Sequence, residues 1–193
     1  MPPEHYLVVD LEAMYCDRGS IPRGHMEIIE IGAVMAEATD FQPVGEFHSF
    51  VRPVTHPHLT AFCTELTSIR QNDVDAAPPF REAIALFQAW LAQYDSFVFC
   101  SWDDYDRKQL QKDCLFHRVS NPIDAPHCNV KRILVDRHHL SKKLTLAHAI
   151  RLAGLEFLGT HHRGIDDARN VVRLLPYAIG SARMSTALRT YGS

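Results

Sequence analysis

The sequence predicts an α/β protein: a mixed sheet whose first three strands are antiparallel and whose later strands continue in parallel, flanked by helices. Three observations predict it. Three short apolar segments rich in β-branched residues come first, separated by turn signals. The hydrophobic period then changes to helical at Phe80. One further strand-like run is followed by helices, an order that calls for crossover connections and parallel pairing.

Tyr6-Leu-Val-Val-Asp10 is short, apolar and β-branched, as a buried strand is. A polar loop with Gly19, Pro22 and Gly24 follows, then a second strand over Ile28–Val34 and a third over Glu46–Val51. Turn signals at Asp40 and Gln42-Pro43 separate these two and suggest a meander. Up to Pro79, proline and polar residues dominate, with room for short helices at Leu59–Phe62 and Asp73–Ala77. Phe80, Ile84, Phe87 and Leu91 recur at helical spacing and predict a core-facing stripe. Ser96–Cys100 reads as a buried strand, and about 106–117 as a helix. Residues 129–137 fit a helix or a strand, 144–152 a helix, and Asp166–Leu175 a last helix bounded by Pro176. Ligands of such sheets gather at strand carboxyl ends, where Asp10 and Cys100–Trp102 lie.

A chain of 193 residues is expected to form a single domain, residues 1–193, with its core at about 6–178 and a tail at 179–193. Hydrophobic residues make up 46% and charged residues 22%, a globular balance. The net charge of −3 speaks against a simple nucleic-acid coat. It hides an asymmetry: residues 1–80 carry 4 basic and 12 acidic side chains, and residues 81–193 carry 16 and 11. An anionic partner therefore stays possible. No run reaches the roughly 18 apolar residues of a membrane span, so no membrane association is expected. The start lacks the basic and apolar segments of a signal peptide. Five scattered cysteines, none at CxxC spacing, suggest free thiols in a reducing cytoplasm.

Three clusters carry chemistry. Asp10 and Glu12 sit at i and i+2 where the first strand ends, so they share a face. Two such carboxylates either face solvent or hold a hard cation such as Mg²⁺ or Mn²⁺ between them. Asp103, Asp104 and Asp106 open a helix after a buried strand. One or two serve as caps, and a third can face inward. His161-His162 precede Asp167 in a loop that enters the last helix. With Gly164 between them, an imidazole from the loop and a carboxylate from the helix can meet, and a neutral histidine can accept a proton.

These clusters, in this order, resemble the DEDDh branch of the 3′-5′ exonucleases, which have the RNase H-like fold. Val8-Val-Asp10-Leu-Glu12 resembles the first motif, Tyr105-Asp106 with Leu110 the second, and His162 with Asp167 the third. Glu27–Val34 resembles the family's second strand, and Val51-Arg-Pro53, Leu59–Cys63, Leu66–Ile69, Lys143–Leu146 and Gly164–Asn170 resemble the histone-mRNA 3′-exonuclease-like (Eri-type) subgroup. The resemblance covers about residues 6–178. It implies two divalent ions, Mg²⁺ or Mn²⁺: one on Asp10, Glu12 and Asp167, the other on Asp10 with Asp106 in its outer shell. Such ions sit roughly 3.5–4 Å apart and clamp an in-line displacement. His162 is then the general base, and the products are nucleoside 5′-monophosphates.

The resemblance also makes the 3′ end of single-stranded RNA or DNA the partner, with RNA favoured. Leu11, Ala13, Met14, Trp102, Phe62 and His161 are the candidate substrate contacts. Met14 stands where the subgroup often has a small polar residue, and Asp103 or Asp104 remains a rival to Asp106. Residues 129–151 carry Lys131, Arg132, Arg137, Lys142, Lys143 and Arg151 against Asp136 alone, either a solvated face or a phosphate track. A non-catalytic nucleic-acid-binding domain, or a small-oligonucleotide phosphodiesterase, is the alternative on the same fold.

Overall fold

The computed structural model describes residues 3–17, 19 and 21–184. Part of the tail expected at 179–193, from 185 onward, lies outside the described residues. A five-stranded sheet in the order β3-β2-β1-β4-β5 forms the centre. Its strands are β1 (His5–Ala13), β2 (Ile28–Glu37), β3 (Pro43–Phe50), β4 (Phe97–Ser101) and β5 (His127–Asn129). β1 pairs antiparallel with β2, and β2 with β3, whereas β1–β4 and β4–β5 are parallel.

Side-chain alternation along β1 sorts the core into two layers. Leu7, Val9 and Leu11 face α3 (Phe80–Leu91) and α4 (Tyr105–His117), where Phe80, Ile84, Phe87 and Leu91 are all buried as the stripe predicts. Val8 faces the other layer, built from α5 (Val130–His138), α6 (Leu146–Leu152) and α7 (Gly164–Ala178). Two short helices, α1 (Ala61–Thr67) and α2 (Gln71–Asp75), are followed by the crossover into α3. Thr60 caps α1 by accepting from Cys63 N, and Asn129 caps α5 by accepting from Arg132 N.

Several elements differ from expectation. β1 runs on to Ala13 because β2 keeps pairing with it, Glu12 opposite Glu30. β5 is too short to leave a periodic trace, and residues 130–138 after it are helical. Pro176 does not end α7; the helix runs about half a turn further, to Ala178. Leu174, Leu175 and Ala178 are buried in the core, and that packing outweighs the hydrogen bond a proline cannot donate.

α7 packs across β2 and β1 at a distance that only glycine allows. A Cβ on Gly32 would sit 2.1 Å from Gly164 C and from Ile165 N, and a Cβ on Gly164 would sit 2.8 Å from Asp10 O. The obstacles are backbone atoms, which cannot swing aside. Gly32→Ala is therefore expected to cost about 3 kcal/mol or more, lowering Tm by roughly 6–12 °C in a chain of this length. A thermal melt within 2 °C of the parent would show that the helix does not sit on this glycine.

Candidate active site

The site lies where the carboxyl end of β1 meets the N-terminal ends of α4 and α7. Asp10 and Glu12 continue the face of Val8, and their β2 partners Gly32 and Glu30 share that face. Glu30 has no solvent exposure. Its Oε1 is 2.8 Å from His48 Nε2, and its Oε2 accepts from Arg163 Nε at 3.2 Å and from Gly164 N at 3.0 Å. Arg163, at the N-cap position of α7, makes no capping bond with its own side chain. Glu30 thus caps the helix from a neighbouring strand and complements the positive end of its dipole. Burial alone would raise its pKa; the bonds from His48, Arg163 and Gly164 outweigh that and hold it below the ordinary carboxylate value.

With α7 seated there, Asp167 is delivered beside Asp10 and Glu12. One oxygen from each of the three carboxylates lies within 4.8 Å of the others. Asp167 Oδ2 accepts from His162 N at 3.3 Å, while its buried Oδ1 has no hydrogen-bond partner among the described residues. Asp106 enters from α4, only 4% exposed, and its Oδ1 accepts from Leu11 N at 3.0 Å. Its two rivals are placed differently. Asp103 accepts from Tyr105 N at the start of α4 and lies 3.9 Å from Lys131 Nζ. Asp104 is 3.7 Å from His127, and a bond from Asn129 helps hold its carboxyl below the usual range.

These acids oppose one another. Burial, then the charges of Asp106, Asp167 and Glu12, pushes the Asp10 carboxyl well above its ordinary range. Glu12 is pushed up to about 9 by burial and by Asp167 and Glu30. Burial raises Asp106 and Asp167 to about 7 each, against the lowering effect of their backbone hydrogen bonds. An all-oxygen donor set of converging, mutually repelling carboxylates, one oxygen of which is orphaned, fits a hard divalent cation.

The cleft around these acids has a volume of about 400 Å³. Trp102, Tyr105, Leu11, His161 and His162 line it with the acids, and Lys131 and Lys143 reach it from α5 and the loop before α6. Burial lowers the His162 pKa and the neighbouring His161 lowers it further, so the imidazole is neutral at pH 7. Tyr15, outside the motifs, also lines the cleft, its ring 6.2 Å from that of Tyr105.

Three expected substrate contacts are placed elsewhere. Ala13 and Met14 are fully buried, and Phe62 is exposed on α1 outside the cleft lining. The pairing register shifts after Glu12, with Ile29 of β2 as the extra residue, and β1 ends at Ala13; Met14, just beyond it, packs with Ile29, Cys63 and Ile69. Glu30, Arg163 and Tyr15 were not singled out by the sequence. The available signal for Glu30 was a charged residue inside a run of buried apolar ones, two positions before a glycine.

Carboxyls raised in the folded state bind more protons folded than unfolded, so their contribution to stability is present at low pH and is lost as pH rises. In chelator, Tm is expected to fall between about pH 5 and pH 9, the span from the ordinary carboxylate value to that of Glu12. Added Mg²⁺ should restore more Tm at the alkaline end. A flat profile, or a Mg²⁺ increment independent of pH, would contradict this charge balance.

The chain matches the family model RNase_T, described as exonuclease, over residues 7–175. It is 30% identical over 195 residues to 3′-5′ exonuclease Snipper of Drosophila melanogaster, covering 91% of this chain and 69% of that protein. It is 33% identical over 190 residues to ERI1 exoribonuclease 2 of Danio rerio, covering 87% of this chain but spanning only 34% of that longer relative. Among solved structures, the nuclease domain of 3′hExo, a DEDDh family member bound to rAMP, superposes with a TM-score of 0.83 at 24% identity, covering 95% of this chain and 96% of the other. The mixed five-stranded sheet with its flanking helices is thus the fold of the DEDDh nucleases. Acidic motifs on that sheet, the model match along nearly the whole chain and relatives named for the activity agree: the chain belongs to the exonuclease family, with the 3′-5′ exonucleases of the Snipper and ERI1 type.

Proposed function

We propose that residues 1–193 form one exonuclease domain that removes nucleotides from the 3′ end of single-stranded RNA, in preference to DNA, in a metal-dependent hydrolysis. The convergence of Asp10, Glu12 and Asp167 within 4.8 Å, beside a neutral His162, carries this reading. Relatives named exoribonucleases and the rAMP in the neighbouring structure favour RNA. The five cysteines are free thiols, which fits the reducing cytoplasm as the site of action. Among the described residues, no helix is long and apolar enough to cross a membrane.

Asp10, Glu12 and Asp167 are the residues that would hold a divalent cation, Mg²⁺ or Mn²⁺, with Asp10 and Asp106 facing a second. When bound, such ions neutralise the phosphate and polarise both the attacking water and the departing oxygen. The chain's own part follows from its geometry. His162 takes the proton of the attacking water. Asp106 fixes the backbone at Leu11, one residue from Asp10. Trp102, Tyr105 and Tyr15 offer flat faces for the terminal base. Lys131 and Lys143 attract the phosphates at the cleft. Lys131 continues with Arg132 and Lys142 into an adjoining hollow of about 430 Å³, a path for the strand upstream of the scissile bond.

Turnover on a 3′-labelled strand, with nucleoside 5′-monophosphate as the measured product, tests the assignment. Asp10→Asn should abolish metal-dependent release. His162→Ala should lower turnover roughly 10²–10⁴-fold, and near-normal turnover would remove histidine from the base role. Asp106→Asn should be far more damaging than Asp104→Asn; the reverse order would transfer the second-motif role. Matched RNA and DNA strands read the sugar preference, and equal rates would refute the preference for RNA.

A further inference from the structure

The proposed reaction uses one histidine, yet two point into the cleft. Neighbouring side chains of an extended segment face opposite ways. Here His162 has φ +63°, the left-handed conformation, and this turn brings both rings to the same side. Their centroids are 3.9 Å apart at an interplanar angle of 47°. His161 Nε2 lies 3.9 Å from Asp167 Oδ2, and Phe157 packs edge-on against the His161 ring at 5.3 Å. One ligand atom from each of His161, His162 and Asp167 falls within 4.8 Å of the other two. Asp167 also carries the buried Oδ1 that lacks a partner.

Two imidazoles and a carboxylate form a different donor set from the three carboxylates beside them. Zn²⁺ binds histidine nitrogen at about 2.0–2.1 Å and carboxylate oxygen at about 2.0–2.2 Å in a tetrahedron, which puts two ligand atoms roughly 3.4 Å apart. The 4.8 Å spread closes to that by small side-chain rotations, and His161, 40% exposed, is free to make them. Imidazole suits Zn²⁺ and does little for Mg²⁺, which prefers oxygen. We propose that His161, His162 and Asp167 form a transition-metal site that takes Zn²⁺ in preference to Mg²⁺ and switches the cleft off when filled. Its occupation removes the His162 lone pair from proton transfer and withdraws Asp167 from Asp10 and Glu12. The binding half of the proposal stands by itself; the inhibitory half rests on the exonuclease reading.

The test measures Zn²⁺ affinity of the metal-stripped full chain by competition with a fluorescent zinc chelator, in excess Mg²⁺. The parent should bind Zn²⁺. His161→Gln should bind it at least about tenfold more weakly, since losing a mere outer-shell partner costs about that much. Asp10→Asn should bind it at least as tightly as the parent, because Mg²⁺ then competes less for Asp167. A parent that takes up no Zn²⁺, or an affinity lost in Asp10→Asn and kept in His161→Gln, overturns the site. Zn²⁺ should also inhibit nucleotide release by the parent, and the inhibition constant should rise in His161→Gln by the factor its zinc affinity falls, each protein compared with its own zinc-free rate. Zinc binding without inhibition would refute the switch. A parent inactive with Mg²⁺ or Mn²⁺ would instead sink the exonuclease reading while leaving the zinc affinities readable.

Discussion

The contact between Gly32 and Gly164 governs the rest of the structure. Backbone lies on backbone there, and the first turn of α7 comes down onto β2 and β1 without an intervening side chain. The height of the helix sets where Asp167, three residues in, stands relative to Asp10. A layer of Cβ atoms would lift the third carboxylate away from the other two. Glu30 holds the same junction electrostatically, accepting from Gly164 N and pairing with Arg163. Packing and charge thus act at one point, and the acids converge because of it.

That junction also settles which acids are available. Glu30 lies directly across the strand pair from Glu12 and would add a further repelling charge to the cleft. Arg163 pairs with it there, and His48 Nε2 lies at hydrogen-bond distance from the same carboxylate. Among the described residues, no lysine or arginine forms an ion pair with Asp10, Glu12 or Asp167, and their carboxyls rise while that of Glu30 falls. Neighbouring carboxylates therefore stand in different surroundings: Glu30 clamps a helix, and the others repel one another. The chain's net charge of −3 belongs to this balance, since two divalent ions would turn it positive.

The strands, the helical stripe from Phe80 and the three acidic clusters were legible in the sequence because each repeats a local period or motif. What was hidden depended on contacts between distant segments. Glu30 reads as one charge in a strand until residue 163 is laid beside it. Met14 has the parity of Asp10 and Glu12, but it lies beyond the end of β1 and packs into the core against Ile29 and Cys63. Asp104 and Asp106 look alike in sequence. The α4 N-terminus separates them, one half-buried at the cap position and the other buried against Leu11 N. Pro176 is a helix breaker by composition, and tertiary burial of Leu175 and Ala178 overrides it.

Asp167 belongs to two donor sets, and this shapes the chemistry of the cleft. On one side it faces two carboxylates, on the other two imidazoles. A hard ion gains most from the first set and a borderline ion from the second. Both sets draw on the same carboxylate, whose Oδ2 accepts from His162 N and whose Oδ1 is unpartnered among the described residues, so an ion in one set competes with an ion in the other. The left-handed turn at His162 is what places the second set there. The backbone conformation that turns His162 toward the acids turns His161 there too, so the imidazole proposed as the base comes with a neighbour able to join it in a second donor set.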